Sequence, residues 1–106
     1  MDTYRDAVWW PTGDGEPARF YVCDAGARWY RVAGVYIFAC WENGVWVPLF
    51  IGATSDLSWE LPRHPYWPAA SALGATHVHA ASIESAAERE DLVRRLVAHH
   101  RPILNV

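Results

Sequence analysis

The chain has 106 residues, nine arginines with no lysine, twelve acidic residues and a net charge of −3. That length suits one domain built on one modest core. The acidic balance argues against avid, non-specific binding to a polyanion, because such affinity comes largely from neutralised phosphates. No apolar run approaches the roughly 20 residues that span a bilayer. Cys23 and Cys40 lie far apart without a CxxC spacing, and no secretory apolar segment opens the chain. Both features point to a cytoplasmic protein with two reduced, buried thiols.

Seven tryptophans (9, 10, 29, 41, 46, 59 and 67) are heavy for this size. Most are expected to fill a small core; others suit base stacking or a protein interface, where exposed indoles are enriched. Trp9 and Trp10 are adjacent and followed by Pro11, so an extended segment cannot bury both against one core. One of them is therefore a candidate partner surface, and the Trp-rich N-terminal half as a whole is a candidate protein-binding region.

In chain order, residues 1–17 end in Pro-Thr-Gly-Asp-Gly-Glu-Pro, a loop signal, and form an arm that is either loosely ordered or pinned by its two tryptophans. Arg19 to Cys23 alternates aromatic and β-branched residues and predicts a strand. Asp24-Ala25-Gly26 turns it, and Arg28 to Val32 is the predicted return strand. Two runs rich in β-branched and aromatic residues, Val35 to Cys40 and Val45 to Ile51, then flank Asn43-Gly44, the strongest short hairpin signal.

Thr54 or Ser55 is the predicted N-cap of a helix with Asp56 in its first turn. Pro62 keeps that helix short. Pro68 opens a second short helix ending at Leu73, with Gly74 as its stop. Thr76 to Ser82 reads as a strand whose His77 and His79 share one face. With a carboxylate the two histidines could ligate zinc, although packing on a half-buried face is the stronger expectation. Ser85 and Glu88 form a capping box, and Leu92, Val93, Leu96 and Val97 make the apolar stripe of the last helix, which Pro102 ends.

A two-residue turn at Asn43-Gly44 pairs Tyr36 with Ile51 and Ile37 with Phe50, placing Tyr36 and Phe50 on opposite faces. Pro48, which cannot donate to a ladder, offers a bulge that would restore a shared face.

The order Gly34-Val35-Tyr36, then Phe50-Ile51-Gly52, then an acidic residue on a late helix, then Pro102-x-x-Asn105 resembles the GIY-YIG nuclease family over about residues 33–106. The resemblance implies an α+β fold: a small mixed sheet flanked by short helices and one longer C-terminal helix. Residues 1–32 would be an N-terminal strand or hairpin extension packed on it. It also implies a metal-dependent endonuclease acting on DNA or RNA with Mg²⁺ or Mn²⁺. Under that resemblance Tyr36 positions or deprotonates the attacking water, Glu90 holds the metal and Asn105 supports the site. Phe50 stands where the second motif carries a tyrosine. Glu60 falls on the phosphate-binding arginine, a charge reversal that repels the group to be held, and losing one such donor commonly costs about 100-fold or more in rate. Arg63 and His64 are the nearest candidates to compensate. The alternative is a catalytically inactive module that binds nucleic acid or a protein partner.

Overall fold

The structure is a computed structural model and describes residues 6–105. Five strands form one sheet: β1 (Asp6–Trp10), β2 (Ala18–Asp24), β3 (Gly34–Glu42), β4 (Val45–Thr54) and β5 (His77–Ser82). Their order across the sheet is β1-β2-β5-β3-β4. Helices α1 (Leu57–Glu60) and α2 (Trp67–Ala72) connect β4 to β5, and α3 (Ala86–His100) follows β5. No helix among the described residues is long and apolar enough to cross a membrane. The fold is α+β.

Every strand pair is antiparallel, so the expectation of a mixed sheet is corrected. β4 and β5 run in the same direction, but β3 lies between them and is antiparallel to both, so no parallel ladder forms. The return strand expected at Arg28 to Val32 is also absent; residues 25–33 are turns and irregular backbone. The flank of β2 available to such a strand is occupied by β5 on one side and on the other by β1, built from the Trp9-Trp10 arm. That arm is the strand that the alternation in Arg19 to Cys23 needed as a partner.

Around the central hairpin the local chemistry acts as read. Asn43 and Gly44 both take positive φ, 51° and 80°, the backbone that a tight hairpin turn requires. A register shift falls between Phe38 and Ala39, whose partners are Phe50 and Pro48, leaving Leu49 as the extra residue. Pro48 thus sits beside a β-bulge. Tyr36 pairs with Gly52 and Phe38 with Phe50, so Tyr36 and Phe50 share a face.

The sheet has an apolar cluster on each face. One contains Tyr36, Phe38, Val78 and Ala80 under Leu57, Leu61 and Ala70 of the β4–β5 crossover. The other contains Trp10, Phe20, Val35, Ile37 and Ile51 under Leu92 and Leu96 of α3. Alternation along β3 therefore sends Tyr36 to the crossover side and its neighbours Val35 and Ile37 to the α3 side. Asp56, not Thr54 or Ser55, caps α1: its Oδ1 accepts from the Ser58 amide at 3.0 Å. Thr54 is still the last residue of β4, and its hydroxyl accepts from the Asp56 amide. Pro62 follows α1 inside a 3-10 turn, residues 61–63. Gly74, with φ of 107°, ends α2 as expected. Ser85 caps α3 by accepting from the Glu88 amide, and Arg101 closes it in a left-handed conformation.

β4 is an edge strand, and its outward backbone groups need partners. Asn105 supplies them: its Oδ1 accepts from the Ile51 amide and its Nδ2 donates to the Ile51 carbonyl, both at 2.8 Å. This side chain mimics a neighbouring strand at one residue. Asn105→Ala strips two hydrogen bonds from a part-buried edge and is expected to cost about 1–3 kcal/mol, measured by urea unfolding. Asn105→Asp keeps the acceptor but sets a carboxylate oxygen against the Ile51 carbonyl, so it should cost at least as much as Asn105→Ala.

Candidate active site

The site begins at Tyr36, which the alternation of β3 points into the crossover face. Its ring lies directly over Gly52: a Cβ there would stand 2.6 Å from the Tyr36 hydroxyl. Gly52 is thus required by close approach of the phenol, which is only 2% exposed. The crossover then delivers two polar side chains onto it. Glu60, the last residue of α1, accepts the Tyr36 hydroxyl proton at Oε2, 2.5 Å away. His64, one residue beyond the 3-10 turn, places Nε2 at 2.8 Å from the same hydroxyl.

The direction of this relay follows from a fourth residue. The Tyr66 amide donates to His64 Nδ1 at 3.0 Å, so the ring proton of neutral His64 sits on Nε2 and donates to Tyr36. Tyr36 in turn donates to Glu60. Burial lowers the His64 pKa, against the pull of Glu60, and keeps the ring neutral. Burial first, then the Glu60 hydrogen bond and charge, push the Tyr36 pKa far above the usual phenol range. Tyr36 is consequently held as a phenol whose proton is committed to its neighbour.

Phe50 closes the cluster with rings alone. Its centroid lies 6.3 Å from that of Tyr36, 5.1 Å from that of His64 and 5.1 Å from that of Tyr66, the last two edge-to-face. Phe38 stacks edge-on to His64 at 4.9 Å. Where a second hydroxyl would enter, the structure has aromatic packing.

The remaining sequence-derived positions are not brought to this cluster. Arg63 donates to the Trp59 carbonyl and lays its guanidinium over the Trp59 ring at 3.7 Å. Glu90 is exposed on α3, the helix of the opposite sheet face. Arg94 pairs with Asp91 instead of Glu90. Asn105 braces the β4 edge through Ile51. Among the described residues no three His, Cys, Asp or Glu side chains converge on a point where a metal could be held. Cys23 and Cys40 are buried and form no disulfide. His77 and His79 do share a face, each with its ring against Trp46.

Three comparisons bear on this arrangement. No family model matches the sequence, and no curated protein matches it. Among solved structures, the GIY-YIG N-terminal endonuclease domain of UvrC from Thermotoga maritima, bound to its catalytic magnesium, superposes with a TM-score of 0.60 at 27% identity. The match covers 74% of this chain and 88% of that one. A tyrosine-to-phenylalanine point mutant of the same domain, bound to its catalytic divalent cation, gives a TM-score of 0.59 at 27% identity, covering 74% and 87%. The chain has a GIY-YIG-like fold.

Within that GIY-YIG-like frame, the structure gathers Tyr36, Phe50, Glu60 and His64 into one cluster. What sequence reading missed was their connection. Glu60 counted as a lost cation, whereas it is the hydrogen-bond acceptor of Tyr36. Tyr66, whose amide orients His64, carried no signal, because backbone donors have no residue signature.

Proposed function

We propose that this protein is a GIY-YIG-fold recognition module whose hydrolytic site is closed by its own side chains. The observation that supports this reading is the Tyr36 hydroxyl, buried and spanned by Glu60 and His64. A phenol that positions or deprotonates water must reach it at about 2.6–3.2 Å, and this one spends its proton on Glu60 and accepts from His64. The charge at the position matched to the phosphate clamp is negative, and the nearest arginine is stacked on Trp59.

The donor set does not suit a catalytic divalent cation. Mg²⁺ can be held by one or two carboxylates together with waters and substrate phosphates. Here the candidate carboxylate Glu90 and the candidate phenol Tyr36 belong to opposite faces of the sheet. No catalytic step is assigned to a metal on this chain.

Nucleic acid is the ligand class we assign to the crossover face, as the resemblance to an endonuclease domain implies. Exposed Tyr66 and the Trp59–Arg63 stack offer base-stacking surfaces and one cation beside the closed site. Residues 33–106 form the GIY-YIG-like unit in this reading, with residues 1–32 as an extension that adds β1 and β2 to its sheet, and the absence of a disulfide at Cys23 and Cys40 suits a cytoplasmic setting. A second reading, an attenuated endonuclease using Tyr36, Arg63, His64, Asn105 and a metal on Glu90, is favoured by the likeness to a domain with a catalytic magnesium.

One assay separates the two. Wild type and Glu90→Ala are incubated with plasmid DNA and with RNA in Mg²⁺ and in Mn²⁺. The closed-site reading expects no metal-dependent cleavage, while fluorescence anisotropy detects salt-sensitive binding of a single-stranded oligonucleotide. Cleavage that Glu90→Ala abolishes would establish the second reading and overturn the first.

A further inference from the structure

A surface on the other side of the molecule carries chemistry that the closed site does not use. α3 ends at His100, and Pro102 turns the chain away toward the β4 edge, so the helix covers only part of its sheet face. Past its end, the β3–β4 hairpin tip and β1 enclose a groove of about 630 Å³. Its lining includes Trp9, Trp10, Trp41, Val45, Trp46 and His100. Trp9, Trp41 and Val45 remain 62%, 58% and 57% exposed. These exposed side chains line one groove instead of being scattered singly over the surface.

The floor of the groove is fixed and its walls are rings. Trp10 is 4% exposed and donates its indole N–H to buried His79 at 3.0 Å. Trp41 and Trp46 meet at 4.9 Å with their planes 71° apart, and Trp10 meets His100 at 5.3 Å and 89°. These edge-to-face pairs line the groove with ring faces and edges. His100 Nε2 is taken by the Pro11 carbonyl at 2.8 Å. The indole N–H groups of Trp9, Trp41 and Trp46 make no hydrogen bond among the described residues.

Charge and area narrow the occupant. The lining contains no arginine, lysine, aspartate or glutamate, so it offers no cation to a phosphate backbone and no carboxylate to a basic segment. Two indoles about three-fifths exposed expose on the order of 300 Å², well below the ~800 Å² per partner of a stable protein interface. A second copy of the chain therefore finds too little surface. What fits is short, uncharged, able to stack on indoles and rich in unpaired carbonyls.

We propose that this groove docks a proline-rich segment of a partner protein in the polyproline II conformation. Such a segment has no internal hydrogen bonds, so its carbonyls are free to accept from indole N–H groups. Its pyrrolidine rings lie flat against aromatic walls, and its stiffness keeps the entropic cost of docking low. The site is separate from the Tyr36 cluster and does not depend on whether that cluster cleaves.

The test is a titration of the folded protein with a blocked nine-residue oligoproline, followed by tryptophan fluorescence and by the indole N–H resonances. A Gly-Ser peptide of equal length is the control. Saturable binding with Kd on the order of 100 μM is expected, the weak range of a small interface, with the Trp41 and Trp46 resonances moving most. Trp41→Ala and Trp41→Leu should each weaken binding about tenfold or more, while Trp59→Ala, on the crossover face, should leave it unchanged. Trp41 is exposed, so both variants should fold, with circular dichroism as the check. No saturation at millimolar oligoproline would overturn the proposal, as would binding that survives the Trp41 changes. It would equally fail if the same resonances answered to oligothymidylate or to self-association upon concentration instead of to the peptide.

Discussion

Alkaline titration of the wild-type protein, followed by tyrosinate absorbance, will leave Tyr36 un-ionised well beyond pH 10, the value of an unperturbed phenol. Burial is the larger cause and Glu60 the smaller. Glu60→Gln keeps an acceptor within reach and removes the charge, so it should bring the Tyr36 pKa down by about 1–3 pH units without returning it to the ordinary range. The same perturbation has a stability consequence. Because the folded pKa lies above the unfolded value, the native state retains a proton that the unfolded chain loses. Stability is fully present below pH 10 and falls as pH rises beyond it, by about 1.4 kcal/mol per pH unit. Tyr36→Phe removes that part of the slope. If Tyr36 instead ionises near pH 10, the value of an unperturbed phenol, the site is open to solvent and the closed-site reading is lost.

Acid will destabilise the protein through His79, on the α3 face. This ring is fully buried. Trp10 donates to its Nδ1, so the proton of the neutral ring lies on Nε2, which has no hydrogen-bond partner among the described residues. The Trp46 ring stands nearly perpendicular to it at 4.5 Å, an arrangement suited to a weak N–H···π contact. Protonation would require Nδ1 to give up the Trp10 bond and would place a charge in an apolar cluster. Burial first, and the nearby His77 second, lower the His79 pKa to about 4. The unfolded chain protonates near pH 6.5, so it binds more protons than the native state between those values, and stability rises with pH there. The neutral ring contributes stability above pH 6.5 that is lost as pH falls through 4, about 3 kcal/mol in all. His79→Gln keeps an acceptor for Trp10 but cannot titrate. Urea unfolding at pH 7 and pH 4 should show a drop smaller by that amount in the variant. Equal drops in the two proteins would show that His79 is not the acid-sensitive group.

These two residues also mark how far sequence reading reached. The Asn43-Gly44 turn, the Ser85 N-cap of α3, the short helices around Pro62 and Pro68, and the apolar stripe of α3 are local signals. Each is set by backbone dihedrals, caps or periodicity within a few residues, and each is found where expected. The strand assigned to Arg28 to Val32 failed because strand pairing is non-local. Nothing between residues 25 and 33 reveals that β5, some fifty residues later, takes the place beside β2.

The GIY-YIG-like fold and the central hairpin are therefore legible in the amino-acid sequence alone, through motif order and turn chemistry. Tertiary structure decided what the clustered residues do. A bulge at Leu49 turned Phe50 onto the face of Tyr36. The crossover carried Glu60 onto the Tyr36 hydroxyl, converting a charge reversal into a hydrogen-bond acceptor. α3 packs on the face opposite the crossover, which carries Glu90 away from the Tyr36 cluster. The physical reason is common to all three. A residue's chemistry is written in its identity, but its partner, burial and pKa depend on segments that only register and crossover bring within about 3 Å.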